Sequence, residues 1–319
     1  IKHRVILGMR YPLVRAFGMK IFCKLLPYRL FSYIFIREKY DIIVSYLEGF
    51  PTRIVAASSS KAKKIAFVHC DISVNNYWLK IYRSTEECRN EYASFDRICF
   101  VSEKSKNSFL EKIGKLENTQ VIHNVINPFE ILKLSRTPLN EKYQTKGLKL
   151  ISVGRLVEAK SYDRLLKVVS LLNRENFNFE LWVLGEGPLR KELEDQIKDQ
   201  NLFNVKLLGF KNNPYKYMAS ADLYVCSSLT EGYSTTITEA IVLGLPVLTT
   251  QCAGMTELLL NGRYGDIVPN SLEGLYAGLK KVLTNKSHLV ELKSLVRERS
   301  LHLLSNDFLS EYNNLFNSL

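Results

Sequence analysis

The stretch from Ala221 to Thr250, "ADLYVCSSLTEGYSTTITEAIVLGLPVLTT", carries the pattern that decides the fold. Leu223 to Cys226 and Val247 to Thr249 are short apolar, β-branched runs, and each reads as a buried strand. Between them lie a turn containing Gly232 and a helical stretch, so the order is strand, helix, strand. Strands joined in that way are parallel. Glu231 and Glu239 stand eight positions apart, with a glycine and a row of hydroxyls between them. Thr236 and Glu239 fit a T-x-x-E capping box, in which Glu239 returns a hydrogen bond to the helix start. That local reading leaves Glu231 unexplained. With the helix beginning near Ser234 to Thr236, its free N–H groups and positive dipole end form an anion site suited to a diphosphate. Gly232 lets the backbone approach a ligand, and two carboxylates beside such a site are acceptors for sugar hydroxyls. A nucleotide sugar has that layout.

The same alternation extends along most of the chain. Before the opening stretch, Leu148 to Val153, Phe179 to Leu184 and Val205 to Leu208 read as strands; in the first half, Asp41 to Ser45, Lys64 to Val68, Arg97 to Val101 and Thr119 to Ile122 do so. "SRTPLNEKYQTKG", Ser135 to Gly147, has no periodicity and reads as a linker. The expectation is an α/β chain of two Rossmann-like, doubly wound parallel-sheet domains, residues 1–145 and 146–302. In open α/β sheets ligands bind beyond the carboxyl ends of the strands. The segments to inspect are therefore Gly154 to Lys160, Gly185 to Leu189, and Ser227 onward, all expected to face a cleft between the domains.

Composition excludes several classes. With 319 residues, 46% hydrophobic content and 24% charged residues, the chain is an ordinary globular protein without repeats or low-complexity tracts. Its 6 cysteines stand singly, which suggests neither a zinc site nor a disulfide framework and favours a reducing compartment. No apolar run is long enough to span a membrane and no signal-peptide pattern opens the chain, giving an expectation of a cytoplasmic location. The net charge of +12 favours a polyanionic partner: nucleic acid, an anionic membrane surface or a phosphate-bearing substrate. Nucleic acid is set aside, because the basic residues accompany no recognised reading module. Residues 19–39, "MKIFCKLLPYRLFSYIFIREK", interleave basic and aromatic residues as an interfacial amphipathic segment does. They also read as two core-facing helices broken at Pro27.

Arg155 and Lys160 follow a strand and precede a helix, where a guanidinium fork and a compact ammonium suit neighbouring phosphates. "GEGP" lacks the spacing of a phosphate-binding glycine loop; its glycines read as a tight turn, with Pro188 starting the next helix. Taken together, these blocks resemble the retaining glycosyltransferases of the GT-B fold, glycosyltransferase family 4. "EGYSTTITEA" resembles the family's E-x7-E motif, and "GRLVEAKSYDRLL" (154–166) its G-R-L-x-x-x-K-G-x-D-x-L block. "LWVLGEGPLRKELE" (181–194) is similar to its G-x-G-P block and "CAGMTELL" (252–259) to its G-G-x-x-E block.

The resemblance implies that Arg155 and Lys160 bind the donor diphosphate, that Glu239 holds ribose hydroxyls and Glu231 those of the transferred sugar. Gly232, Tyr233, Ser234 and Thr235 would approach sugar and phosphate through their amides. It gives His69, in "FVHCD", the place of the active-site histidine, with Asp71 either orienting the acceptor or structural. It implies residues 303–319 crossing back onto the first domain, no cofactor and no metal, lysine and arginine replacing one. The donor would be a nucleotide-diphosphate sugar, UDP-sugar first. "YDIIVSYLEGFPTRIVA" and "KKIAFVHCDI" look like bacterial members that build capsule, exopolysaccharide or lipopolysaccharide on lipid-linked saccharides. That implies peripheral contact of segment 19–39 with the inner membrane face. A GT-B-like nucleotide-sugar epimerase and a non-catalytic nucleotide-sugar-binding partner are the alternatives. The chain departs from the pattern at Ser161, where the family has glycine, at Ala253-Gly254 in place of paired glycines, and at its opening. There the first strand and glycine-rich loop are not found, as in a shortened chain or an amino-terminal domain that begins unusually.

Overall fold

The computed structural model describes residues 27–36, 39–139, 147–305 and 309–319. The opening of the chain with residues 19–26, 37 and 38 of the basic aromatic segment, residues 140–146 of the expected linker and residues 306–308 of the expected returning segment lie outside the described residues. The chain divides into two units, one ending at His123 and completed by Glu311–Leu319, the other running from Asn124 to Ser310.

In the first unit, helix α1 (Tyr28–Phe35) begins directly after Pro27, whose fixed φ suits a helix start. Its Phe31 ring packs edge-on against Phe50 at 5.5 Å, while Tyr33 is 79% exposed. Four strands follow, β1 (Ile42–Ser45), β2 (Lys63–Val68), β3 (Arg97–Phe100) and β4 (Thr119–Val121), all parallel and in the order β1-β2-β3-β4. The crossovers include α2 (Phe50–Ala56), α3 (Thr85–Tyr92) and α4 (Glu103–Ile113). Strand alternation sorts the core into two faces: Ala66 and Val68 join Phe100, Tyr92 and Phe109, whereas Ile65 and Phe67 join Val44, Cys99 and Leu315. Among the described residues of this unit the strands follow one another in sequence order, each crossover carrying helix between parallel neighbours.

After α5 (Pro128–Ser135), the second unit contains β5 (Leu148–Val153), α6 (Tyr162–Arg174), β6 (Phe179–Leu184), α7 (Arg190–Asp199), β7 (Val205–Gly209), α8 (Tyr215–Met218), β8 (Leu223–Cys226), α9 (Thr235–Val242), β9 (Val247–Thr250), α10 (Met255–Leu258), β10 (Asp266–Val268), α11 (Leu272–Thr284) and α12 (Lys286–Ser305). Its sheet is parallel with the order β10-β9-β8-β5-β6-β7. The order reverses between β5 and β8, and such a switch point leaves a crevice at the carboxyl ends of those two strands. Alternation again divides the core: Leu181 and Val183 face Leu165, Val169 and Leu172 of α6, and Trp182 and Leu184 face Ile237 and Ile241 of α9. Leu165, Val169 and Leu172 recur at helical spacing on one stripe of α6, which is why that segment folds as a helix against a flat sheet.

Two boundaries move from the expected positions. The division falls after His123, not near residue 145, because α5 belongs to the second unit: Ile131 is buried and Asn213 Nδ2 donates to Leu134 O at 2.9 Å. The returning segment that groups with the first unit is Glu311–Leu319, carried by α13 (Ser310–Asn317); its Leu315 is buried and Tyr312 stacks on Phe67 at 5.8 Å.

Candidate nucleotide-sugar site

The loops following β5 and β8 meet at the switch point of the second unit. Lys160 Nζ donates to Glu231 Oε1 at 2.5 Å, and Ser228 Oγ donates to the same oxygen at 2.7 Å. Both side chains are mostly shielded, at 24% and 14% exposure. Burial lowers the Lys160 pKa, but the Glu231 carboxylate more than reverses this and the net shift is upward, with Arg155 opposing it as a neighbouring cation. Arg155 is exposed at the start of the same loop. Lys160 is expected at the donor diphosphate and Glu231 at the adjoining transferred sugar; in this structure the two side chains hydrogen-bond each other.

The backbone beneath them is cross-tied. Ser227 Oγ donates to Lys160 O at 2.8 Å and Leu229 N to Ala159 O at 2.8 Å. Buried Arg164, the third residue of α6, donates through Nη2 to Ser227 O at 2.6 Å. Thr250 Oγ1, at the end of β9, donates to Ser228 O at 2.6 Å. Glycines allow the remaining loops to approach. A Cβ on Gly185 would lie 1.9 Å from Gly154 O, and one on Gly187 would lie 2.3 Å from Leu156 O. "GEGP" thus supports the Arg155 loop by packing against it. Pro188 precedes α7 by two residues and does not start it, because the turn Pro188-Leu189 intervenes. Gly254, at φ +74°, would place a Cβ 2.4 Å from Gly232 O, so the "CAGM" turn is the floor of the Gly232-Tyr233 loop.

The helix α9 that follows is capped by Ser234, whose Oγ accepts from Ile237 N at 3.4 Å. The capping box expected of Thr236 and Glu239 is therefore absent: the third helical residue is Ile237, and Thr236 Oγ1 instead accepts from Tyr224 at 2.8 Å. Glu239 accepts from the Tyr215 hydroxyl at 3.2 Å, and burial pushes its pKa up to about 7, with that hydroxyl pulling the other way. Thr235 is exposed at the first turn, and Tyr233 O accepts from Asn124 Nδ2 at 3.0 Å. Arg155, Lys160, Glu231 and the loop Gly232–Thr235 with Glu239 behind it thus lie on connected loops of one unit. Among the described residues no three His, Cys, Asp or Glu side chains gather as metal ligands, and no helix is long and apolar enough to cross a membrane.

His69 stands in the first unit, at the carboxyl end of β2. Glu48, after β1, accepts from the main-chain N–H of His69 and, at 2.9 Å, of Cys70. Burial lowers the His69 pKa, against the pull of Glu48 and of a hydrogen bond with the Tyr46 backbone, so the ring is neutral at pH 7. Among the described residues its buried Nε2 has no hydrogen-bond partner. Asp71 is 3% exposed and closes a local turn, accepting from Ser73 N at 3.0 Å and Ser73 Oγ at 2.6 Å. These contacts are those of a structural carboxylate.

Ser228, Arg164, Tyr215, Asn124 and Glu48 escaped the sequence reading. Inspecting the residues after β1 as closely as those after β5 finds Glu48. The others act through contacts made across long separations, for which the sequence holds no local signal.

Residues 138–299, just over half of the chain, match the family model described as glycosyl transferases group 1. The chain is 30% identical over 244 residues to an uncharacterized glycosyltransferase, MJ1059, of Methanocaldococcus jannaschii, a match covering 70% of this chain and 59% of that one. It is 36% identical over 137 residues to the N-acetylgalactosamine-N,N'-diacetylbacillosaminyl-diphospho-undecaprenol 4-alpha-N-acetylgalactosaminyltransferase of Campylobacter jejuni, covering 42% and 37%. The matches thus span 59% and 37% of these relatives, under two thirds of either. Anabaena Alr3699/HepE, crystallised with UDP and glucose, superposes with a TM-score of 0.73 at 20% identity over 93% of this chain and 83% of that one. The two parallel-sheet units have the GT-B fold, and the chain belongs to the group 1 glycosyl transferases.

Proposed function

We propose that the chain transfers a sugar, with retention and without a metal, from a nucleotide-diphosphate sugar to a lipid-linked saccharide in surface polysaccharide assembly, with UDP as the first nucleotide to test. The observation that carries this reading is the Lys160–Glu231 pair at the switch point of the second sheet, beside the amino terminus of α9. A cation, a carboxylate and a helix start are what a sugar diphosphate needs at its scissile end. Lys160, Arg155 and the α9 amides stabilise negative charge that grows on the departing diphosphate. Glu231 accepts from hydroxyls of the transferred sugar, and Glu239 from those of the ribose. The departing phosphate takes the acceptor's proton on the same face, so configuration is retained. His69, neutral and with Nε2 unpartnered among the described residues, hydrogen-bonds the donor sugar.

The donor class is supported by the UDP and glucose named with HepE. The acceptor class is supported by the diphospho-undecaprenol substrate in the Campylobacter relative's name. Peripheral contact with the inner membrane face is supported by α1, where Leu30, Tyr33 and Ile34 are exposed. The test is transfer of labelled sugar from a panel of nucleotide sugars to polyprenyl-diphosphate saccharides by the full-length protein, alongside UDP binding by calorimetry. Transfer that Lys160→Ala and Glu231→Ala abolish is expected. Failure of every nucleotide diphosphate to bind at saturating concentration would sink the reading.

A further inference from the structure

The contact between Tyr215 and Glu239 joins two elements that the sequence keeps apart. Glu239 lies on α9 and Tyr215 opens α8, on the loop side of β7. The Tyr215 hydroxyl donates to Glu239 Oε1 at 3.2 Å, and among the described residues this is the one hydrogen bond given to that carboxylate. The tyrosine is itself fixed from below. Asn213 Oδ1 accepts from Tyr215 N at 3.1 Å, while Asn213 Nδ2 donates to Leu134 O on α5 at 2.9 Å. The donor group therefore has a defined position before any ligand arrives.

Resting on the function proposed above, we infer that Tyr215 is the positioning residue of the nucleoside end of the site: it engages Glu239 Oε1 and turns Oε2 toward the ribose hydroxyls. A carboxylate mostly removed from water needs a donor to keep it ionised, and an ionised carboxylate accepts two ribose hydroxyls where a protonated one also donates. Tyr215 supplies that donor. The groups bearing on Glu239 from its neighbours are few. Tyr215 reaches it from α8, and Glu130 on α5 acts one step behind, on the tyrosine hydroxyl. From α12, Arg297 lies against Gly244, beyond the far end of α9, and Ser300 bonds Val242 O without a charge. Loss of the hydroxyl would leave the Glu239 carboxylate without its donor. UDP affinity then falls most near neutral pH and recovers in alkali, where Glu239 ionises regardless.

The experiment is a pair of titrations on the wild type, Tyr215→Phe and Glu239→Gln, with melting temperatures checked beforehand. The Glu239 side-chain carboxyl carbon is followed by NMR against pH, and UDP binding is measured by calorimetry at pH 7 and pH 9; Glu239→Gln carries the ligand's own phosphate titration and subtracts it. In Tyr215→Phe the carboxyl midpoint should move to higher pH. UDP should bind about three- to tenfold more weakly at pH 7, the worth of one ordinary hydrogen bond, and nearly as tightly as wild type at pH 9. Placing 3-fluorotyrosine at position 215 keeps the ring, strengthens the donor and should move the midpoint the other way. An unchanged carboxyl midpoint in both variants, or an affinity loss equal at the two pH values, overturns the inference and leaves Tyr215 a packing residue. Absence of UDP binding by the wild type refutes the proposed function instead, and the ligand-free carboxyl titration still decides whether Tyr215 governs Glu239.

Discussion

Replacing Glu239 by glutamine should make the protein more stable while weakening its hold on nucleotide. Burial raises the carboxyl from an ordinary 4.5 to about 7, so the folded chain resists the ionisation that the unfolded chain accepts freely. The sign follows from linkage. The penalty on folding is absent below pH 4.5, grows between 4.5 and about 7, and is constant above that. At about 1.4 kcal/mol per tenfold, that interval corresponds to about 3 kcal/mol at pH 8. Residual exposure of the side chain reduces the expected gain to about 2 kcal/mol. Glutamine keeps an oxygen for the Tyr215 hydroxyl and carries no charge, so it escapes the penalty without leaving that hydroxyl unpaired. Urea unfolding, followed through the emission of buried Trp182 in the same unit, measures the difference. Glu239→Gln should unfold at higher urea than wild type at pH 8, with the advantage shrinking to under about 1 kcal/mol at pH 5. A midpoint equal to or below that of wild type at pH 8, or a gain independent of pH, would refute the reasoning. A site that spends stability on an acceptor for ligand is a familiar compromise.

Three further perturbations separate structural from ligand-binding roles. Lys160→Met should cost about 1–3 kcal/mol by leaving the shielded Glu231 with only Ser228, and the double variant with Glu231→Gln should recover part of that loss in a thermodynamic cycle. Both variants should lose UDP affinity, and additive stability losses in the cycle would mean that the pair is not coupled. Ser161 holds a left-handed conformation at φ +48°, ψ +48° in the turn before α6, so Ser161→Gly should be neutral to stabilising by about 1 kcal/mol; a clear loss in thermal melting would contradict that strain. Asp71→Asn preserves the turn acceptor and should change stability by under about 1 kcal/mol with transfer retained, whereas Asp71→Ala should cost about 1–2 kcal/mol; a dead but stable Asp71→Asn protein would assign the carboxylate to chemistry.

Strands were the most legible level, because parallel sheets covered on both faces write themselves as short apolar runs between turns. Of the ten strands among the described residues, nine lie where those runs stand, give or take a residue. The tenth, Asp266–Val268, is a three-residue edge strand, all half-buried and starting on an acid, too short to display any period. The domain boundary was misread for a different reason. The polar residues after Ser135 look like a linker, but α5 before them is anchored by Ile131 and Leu134 to the unit that follows, and anchoring is a tertiary property. At the site, the spacing of Glu231 and Glu239 disclosed two carboxylates and a helix start. It did not disclose that Lys160 already occupies Glu231, which depends on β5 and β8 lying side by side at the switch point. Ser161 offered a further clue: a residue standing in for glycine kept the left-handed turn that glycine would favour.

The last turns of the chain impose an order on how the protein is made. Residues 124–310 form a continuous stretch, so that unit has its whole sequence before residues 311–319 are added. The other unit does not. One face of its sheet, with Val44, Ile65, Phe67 and Cys99, waits for Leu315 and the stacked ring of Tyr312. On the ribosome the first unit is therefore completed after residues 124–310 have been made, and until residues 311–319 emerge it presents an uncovered apolar surface of the kind that chaperones bind. Removing residues 311–319 should leave the unit of residues 124–310 folded and turn the other into an aggregation-prone nascent domain.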